Sequence, residues 1–259
     1  MMSDEDITEY HNLGKAIKFN GKYDYVTGTR HDDHGSRTYD VNGTRLPSVT
    51  TILGKTKDQQ FIKDWKAKVG EENAERIKNL SSNRGTAMHK FLEHYVLGTG
   101  YDDLTGLGQE AKAMAEKIID VGLTPVEEYY GSEVTLYYPG LYAGSTDLVC
   151  LHNGMETVVD FKQSNRPKKV EWIEDYFMQI AAYCMAHDYV YNSQIKQGVI
   201  MICTPDLYYQ EFKVSGAELR RWKHKFLKRL SMYHDLQFDE KEKAKVNITE
   251  EDFKNEQYT

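Results

Sequence analysis

Short apolar runs alternate with longer amphipathic stretches in the second half of the chain, a pattern typical of an α/β domain. A helix is predicted over residues 171–187, between the third and the fourth of five predicted strands. These strands are predicted over residues 133–138, 143–151, 157–162, 197–203 and 207–214. Because the stretch from 157 to 203 is long enough for a crossover between parallel strands, the pattern predicts a central parallel or mixed sheet.

The first part of the chain has a different pattern. Residues 1–45 are polar, and two Asn-Gly pairs, Asn20-Gly21 and Asn42-Gly43, separate short alternating runs, which predicts β-hairpins. Further helices are predicted over residues 57–80, 84–96, 109–121 and 217–234. We therefore expect a β-hairpin extension over residues 1–45, a core domain over 46–235 and a charged tail over 236–259.

Composition limits the class of protein. The 259 residues, 40% of them hydrophobic, suffice for one large domain. No apolar run reaches the eighteen residues of a membrane span, and the acidic, polar start does not resemble a secretory signal, so a cytoplasmic location is expected. The three cysteines are widely spaced, which favours buried free thiols over a disulfide or zinc framework.

The formal charge of −7 argues against a nucleic-acid partner, because phosphate binding needs positive charge. Binding depends on the local potential, however, and the segment 216–230 holds six cations against one anion. These cations are Arg220, Arg221, Lys223, Lys225, Lys228 and Arg229. The overall charge therefore does not exclude a basic face.

The stretch YAGSTDLVCLHNGMETVVDFKQS carries the most informative chemistry. Side chains alternate along a strand, so Asp160 and Lys162 project to one face and Phe161 to the other. Carboxylates beside a dry core are costly unless compensated, and Mg²⁺ takes carboxylate oxygens together with waters and substrate phosphates. Asp147 and Asp160 are therefore candidate metal ligands, and Lys162 is a candidate to orient water or stabilise charge on phosphate.

Each of these features also has a structural interpretation. An isolated Asp-x-Lys is most often a surface ion pair, and the upstream Asp147 is what favours chemistry here. Gln179 and Tyr183 lie four residues apart on a predicted helix and share one flank, as they also would in an ordinary amphipathic helix. His89 begins a further i, i+4 pair with Glu93, which is either structural or a metal ligand suited to Mn²⁺. Glu133 is a weaker candidate for a second metal or for water activation.

Several segments, taken in order, resemble the PD-(D/E)XK nuclease superfamily. The likeness is to its RecB-like branch, and especially to the mitochondrial genome maintenance exonuclease family and related phage exonucleases. It covers residues 46–230, most of the chain. The segments are LPSVTTIL, FIKDWK, RGTAMHKFLE, GSTDLV, VVDFKQS and QIAAY.

The resemblance implies a restriction-endonuclease-like core, a central mixed β-sheet flanked by helices. It implies a metal site formed by His89, Asp147, Asp160 and the carbonyl oxygen of Phe161, with Lys162 catalytic. It also implies that Gln179 and Tyr183 hold the DNA strand. Two departures stand out: the family's Asp-Trp-Lys-Thr is Asp-Phe-Lys-Gln here, which alters hydrogen bonding at Gln163, and the loop YYPGLYAG leaves Glu133 without a transferred role.

We therefore expect an exonuclease that uses one or two Mg²⁺ or Mn²⁺ ions on single-stranded DNA, or on single-stranded ends and flaps. The expected setting is DNA replication, recombination or repair in a phage or a bacterium. Two alternatives are an endonuclease of the same superfamily and a non-catalytic DNA-binding recombination module. Beside Gln179 and Tyr183, the candidate DNA contacts are Arg84, Ser164, Lys168, Lys169 and the basic helix 217–234.

Overall fold

A mixed β-sheet lies at the centre of the protein. The computed structural model describes residues 18–33 and 35–256. The strands are β1 (Lys18–Phe19), β2 (Thr29–Asp33), β3 (Ser36–Val41), β4 (Thr44–Pro47), β5 (Val126–Tyr138), β6 (Tyr142–His152), β7 (Met155–Gln163), β8 (Gln197–Cys203) and β9 (Tyr209–Ser215). The central sheet has the order β1-β5-β6-β7-β8-β9, and β2-β3-β4 form a separate small sheet.

The strand directions confirm the predicted mixed sheet. β5, β6 and β7 pair antiparallel, whereas β7 and β8 pair parallel through a helical crossover, and β9 returns antiparallel to β8. The turn between β6 and β7 contains Asn153 and Gly154, both with positive φ, as a tight hairpin requires. The predicted α/β class, a mixed sheet flanked by helices, is therefore confirmed.

Helices cover both faces of this sheet. They are α1 (Val49–Lys55), α2 (Gln60–Val69), α3 (Glu71–Leu97), α4 (Gly106–Gly122), α5 (Glu174–Tyr191) and α6 (Gly216–Glu256). The core on one face includes residues of α1, α5 and α6, and the core on the other includes residues of α3 and α4. Along β7, Val158 belongs to the first core while Val159 and Phe161 belong to the second. Asp160 and Lys162 therefore lie on the α5 side of the sheet.

Two predicted helix boundaries were wrong. The helix predicted over 57–80 is interrupted at Gly70, whose φ of +85° is a conformation that side chains with a Cβ rarely adopt. No new helix begins at Arg84, because α3 continues through it. Gly85 lies inside α3, where an added Cβ would lie 3.3 Å from Cγ of Gln163, so this glycine permits close packing of the helix on β7.

The N-terminal region contains one of the two predicted Asn-Gly hairpins. Asn42 and Gly43 both have positive φ and connect β3 to β4. Asn20 and Gly21 form no such hairpin, because β1 pairs parallel with β5 of the central sheet. The following segment packs its Tyr23 ring 4.6 Å from the ring of His187, so tertiary packing overrides the local turn signal. Residues 1–17 of the predicted extension lie outside the described residues.

The basic helix predicted over 217–234 continues into the charged segment that follows, and α6 extends to Glu256. Among the helices described for this chain, none combines the length and the apolar character needed to cross a bilayer.

Candidate active site

Three carboxylates lie side by side across three neighbouring strands. The last paired residues of β6 and β7 are Leu148 and Val159, and continuing this register places Asp147 opposite Asp160. On the other side of β6, the residues flanking Glu133 pair with the residues flanking Asp147. Like charges directly opposite one another destabilise a sheet, so this row calls for a compensating positive charge.

The site opens where β6 and β7 stop pairing. The amide N–H of Phe161 donates to Oδ2 of Asp147 at 2.5 Å, so a side chain takes the place of a ladder bond. One residue earlier along β6, the Thr146 hydroxyl donates to the carbonyl oxygen of Val159 at 3.1 Å. These two side chains form hydrogen bonds with backbone groups of β7 that no longer pair with the backbone of β6. They also fix Asp147, which is 8% exposed, at the point where the two strands separate.

His89 reaches this row of carboxylates from α3. Its Nδ1 lies 3.0 Å from Oδ1 of Asp147 and 3.9 Å from Oε1 of Glu133. Glu133 has a φ of +49°, a strained conformation for this residue type, and Oε2 of Glu133 accepts a hydrogen bond from Ser145 at 3.1 Å. The three residues offer ligand atoms that all lie within 4.8 Å of one another.

Charge interactions hold His89 and Asp147 in opposite protonation states. Burial opposes protonation of His89, but the adjacent Asp147 carboxylate raises the pKa of His89 to about 10. Burial also opposes ionisation of Asp147, and the neighbouring His89 nevertheless keeps the pKa of Asp147 below its usual value. The site is therefore built around a positive charge held between carboxylates, a requirement that a divalent cation also meets.

Asp160 and Lys162 complete the chemistry. Asp160 is 2% exposed, and burial raises its pKa to about 6. Lys162 forms an ion pair with Oδ2 of Asp160, and no other described donor reaches this buried oxygen. Nζ of Lys162 also lies 5.2 Å from the centre of the Tyr176 ring. A carboxylate oxygen has two lone pairs, so Asp160 retains the capacity to bind a further partner.

These residues line a cleft of about 640 Å³. The predicted residues His89, Asp147, Asp160 and Lys162 all contribute to its wall, as do Glu133, Gln179 and Tyr183. The structure thus brings together the candidate metal and catalytic residues and two of the candidate DNA contacts.

Gln179 and Tyr183 form the α5 wall of the cleft. Nε2 of Gln179 donates to the Tyr183 hydroxyl at 3.1 Å, and both side chains are buried. The Tyr183 ring packs against Gly144 of β6, where an added Cβ would lie only 2.7 Å from Cε1 of the ring. The absence of a side chain at Gly144 therefore defines the position of Tyr183.

Two other predicted DNA contacts lie outside the cleft wall. Arg84 is buried and donates to Glu110 at 2.8 Å and to Asn165 at 2.8 Å, so it braces α3 against α4 and the end of β7. Ser164 is also buried, and its hydroxyl donates to the carbonyl oxygen of Arg166 at 2.7 Å. Both roles in DNA binding stay predictions, and for both residues the observed contacts are internal.

The predicted basic contacts have varied surroundings. Lys168 is half-buried, which lowers its pKa, whereas Lys169 is exposed with Nζ 5.3 Å from the ring centre of Trp172. Three of the six cations on α6 form ion pairs within the fold and serve as internal contacts. The pairs are Lys223–Asp188, Lys225–Glu174 and Arg229–Asp175.

Several cleft residues were not predicted from the sequence. Arg30, Arg37 and Tyr39 come from the small N-terminal sheet, and Ser81 and Ser82 come from α3. No spacing rule connects residues of a hairpin with a catalytic motif more than a hundred positions later. The missing information is the docking of the small sheet, which an isolated β-bridge between Ser48 and Ala143 of β6 helps to fix.

Two curated proteins match the chain in sequence. Mitochondrial genome maintenance exonuclease 1 of Mus musculus is 28% identical over 193 residues, which cover 70% of this chain and 56% of that protein. The Homo sapiens protein of the same name is 29% identical over 176 residues, which cover 62% of this chain and 50% of that protein. The chain therefore spans about half the length of the curated relatives that it matches.

Among solved structures, the alkaline exonuclease LHK-Exo from Laribacter hongkongensis is similar with a TM-score of 0.31 and 15% identity, over 61% of this chain and 85% of that one. No family model matches the chain. The resemblance to mitochondrial genome maintenance exonucleases, predicted from the motifs, is confirmed by the two curated relatives.

Proposed function

We propose that this chain is a metal-dependent deoxyribonuclease, an exonuclease that hydrolyses single-stranded DNA or single-stranded ends and flaps. The observation that carries the proposal is the convergence of Asp147, Asp160, His89 and Lys162 in one cleft, with a buried carboxylate oxygen that retains binding capacity. Both curated relatives are named exonucleases, which supports the same activity. The expected phage or bacterial setting stays a prediction.

The donor set fits a hard divalent cation. Asp147, Asp160, His89 and the carbonyl oxygen of Phe161 would hold one Mg²⁺ or Mn²⁺ ion. Glu133, whose ligand atom lies within 4.8 Å of those of His89 and Asp147, would contribute to that ion or to a second one. When bound, the metal supplies an acidified water and neutralises charge on the phosphate. A metal at this site would displace the proton that Asp147 stabilises on His89, and the neutral imidazole would then favour Mn²⁺ over Mg²⁺.

Lys162 acts as a fixed cationic donor. Burial opposes its charge, but the adjacent Asp160 carboxylate raises the pKa of Lys162 above its usual value. The neighbouring carboxylate thus stabilises the charged, hydrogen-bond-donating form of the ammonium group. Its Nζ can donate to the attacking water and to a phosphate oxygen together, which orients one against the other and stabilises the charge that develops.

The cleft admits one strand between two walls. Gln179 and Tyr183 present an amide and an aromatic ring on the α5 side, and His89 and Lys90 lie on the α3 side. A volume of about 640 Å³ is on the scale of small-molecule sites, which accommodate a nucleotide and its neighbour better than a duplex. The volume of the cleft supports the proposed preference for single strands.

The test is digestion of end-labelled single strands with Mg²⁺ or Mn²⁺. Asp160→Ala and Lys162→Ala should each lower the rate by at least about 100-fold, the scale on which a positioned charge contributes to catalysis. The matched control is Lys213→Ala, because Lys213 forms an ion pair with Glu211 at the same i, i+2 spacing on β9.

Wild-type activity in the Lys162→Ala or the Asp160→Ala protein would contradict this mechanism. Cleavage of circular single strands would identify an endonuclease instead. Salt-sensitive DNA binding without metal-dependent turnover in the wild type would identify a binding module.

A further inference from the structure

Two arginines of the small N-terminal sheet face the same cleft as the metal site. Arg30 of β2 pairs with Tyr39 of β3, and Asp32 pairs with Arg37, so these four residues share one face of the sheet. Arg30, Arg37 and Tyr39 line the cleft. A cleft that is acidic at its base therefore has a basic wall at its rim.

One carboxylate orients both guanidinium groups. Nε of Arg30 donates to Oδ2 of Asp32 at 2.7 Å, and Nε of Arg37 donates to Oδ1 at 3.0 Å. Within the described part of the chain, no hydrogen bond uses the terminal nitrogens of either arginine. Those nitrogens form the fork that binds phosphate oxygens in a bidentate manner, and the cluster keeps a net charge of +1.

The backbone of Arg37 is fixed against α1. Its N–H donates to the Thr51 hydroxyl at 2.8 Å, and its carbonyl oxygen accepts from that hydroxyl at 2.9 Å and from the N–H of Ser48 at 3.0 Å. Ser48 is also the N-cap of α1, accepting from the N–H of Thr51 at 2.9 Å. Arg37 is therefore held at a defined position, which costs less entropy on binding than a free surface arginine would.

A second cleft extends the first one beyond Arg37. It has a volume of about 490 Å³ and shares Arg37 and Thr50 with the cleft of the metal site. At its other end lie Gly54 and the exposed Lys55, the last residue of α1. The two clefts adjoin at the shared residues, and the second is lined by Arg37 and Lys55 together with Asp32. Among the described residues, no ion pair joins Lys55 to an acidic side chain.

We propose that Arg30, Arg37 and Lys55 form a phosphate-binding track for the DNA strand next to the cleavage site. The inference rests on the proposed nuclease function and adds a path for the strand: from the carboxylates, past the two arginines, to the end of α1. The track binds backbone phosphates and therefore has no base preference.

The first test measures how DNA binding depends on salt. A labelled single strand is titrated in Mg²⁺ at several salt concentrations, with every protein carrying Lys162→Ala to suppress turnover. Each phosphate contact to a single strand contributes about 0.7 to the slope of log K against log salt. Arg37→Gln and Lys55→Gln should each reduce the slope by about 0.7, and Arg30→Gln with Arg37→Gln by about 1.4.

The matched control is Arg45→Gln. Arg45 lies on the neighbouring strand β4, is exposed, forms an ion pair with Asp33, and lines neither cleft. Equal slopes for Arg37→Gln and Arg45→Gln would overturn the track. Failure of the proposed function gives a different result, namely a wild type without metal-dependent turnover.

A second test locates the strand by cross-linking. All three native cysteines are buried, so Lys55→Cys introduces an accessible thiol. Strands that carry a single phosphate-tethered thiol, activated as a mixed disulfide, are prepared with the tether at successive positions. The thiolate of this variant should displace the activating thiol and form the cross-link over a narrow range of positions. Equal cross-linking at every position, or no more than in the wild type, would overturn the path.

Discussion

Gly144 and Tyr183 test whether the α5 wall of the cleft determines activity. A Cβ at residue 144 would lie 2.7 Å from Cε1 and 2.8 Å from the hydroxyl oxygen of Tyr183. Non-bonded carbon atoms prefer about 3.5 Å or more, so Gly144→Ala must displace the ring by about 0.8 Å. The Tyr183 hydroxyl accepts a hydrogen bond from Gln179, so the displacement also disturbs that contact.

Two magnitudes follow from this displacement. Overpacking of a well-packed core costs about 1–3 kcal/mol, so the free energy of unfolding of Gly144→Ala should fall by that amount. A misplacement of about 1 Å near the reacting groups costs about 100-fold in rate, so kcat/KM on single-stranded DNA should fall by about that factor. Urea unfolding and digestion of an end-labelled strand measure the two effects.

A glycine-to-alanine change elsewhere provides the control, and Gly144→Ala in a second background can refute the reasoning. Gly106→Ala adds a Cβ at the start of α4 with nothing within 4 Å, and it should change neither stability nor activity appreciably. Replacement of Tyr183 by Ala removes the clash, so Gly144→Ala should cost little further stability in the Tyr183→Ala background. An equal loss in both backgrounds would refute the reasoning.

Two further predictions concern residues outside the cleft. Burial lowers the pKa of His187 to about 4 from the usual 6.5, so as the pH falls the unfolded chain binds the proton before the folded protein does. The free energy of unfolding should therefore fall by about 3 kcal/mol as the pH drops from 6.5 to 4. In urea unfolding, His187→Gln should lack this part of the pH dependence. A difference in the free energy of unfolding between variant and wild type that stays constant from pH 6.5 to 4 would contradict the prediction. Arg84→Gln should lower the free energy of unfolding by about 2 kcal/mol and leave the salt slope of DNA binding unchanged, because Arg84 binds Glu110 and Asn165 internally. A slope reduced by about 0.7 would restore the predicted phosphate contact.

Local sequence signals were sufficient for the part of the fold that carries the candidate metal site. Strand β8 has the predicted bounds, and the alternation along β7 places Asp160 and Lys162 on one face with Phe161 on the other. The predicted hairpin turn at Asn42-Gly43 was also correct. These features depend on residues close in sequence, where side-chain periodicity and turn chemistry dominate.

Features that depend on distant contacts were not predictable. The Asn20-Gly21 turn gave way to pairing with β5, and the contact of Arg84 with Glu110 joins residues 26 positions apart. The contribution of Glu133 follows from sheet register, which places it beside Asp147. No pattern within β5 itself distinguishes this glutamate from an exposed one.

The candidate metal site lies where two strands separate at a defined point. The side chain of Asp147 accepts from the N–H of Phe161, so at this point β6 contacts β7 through a side chain and not through a backbone ladder bond. On its other side β7 remains paired with β8 through Gln163, so the separated end of the strand stays rigid. Where β7 separates from β6 but stays paired with β8, the carboxylates of the two strands can turn toward one point. A continuous antiparallel pair would hold them directly opposite each other. Asp147 therefore bonds the backbone of β7 through Oδ2 and His89 through Oδ1, which couples the pairing of the strands to the geometry of the candidate metal site.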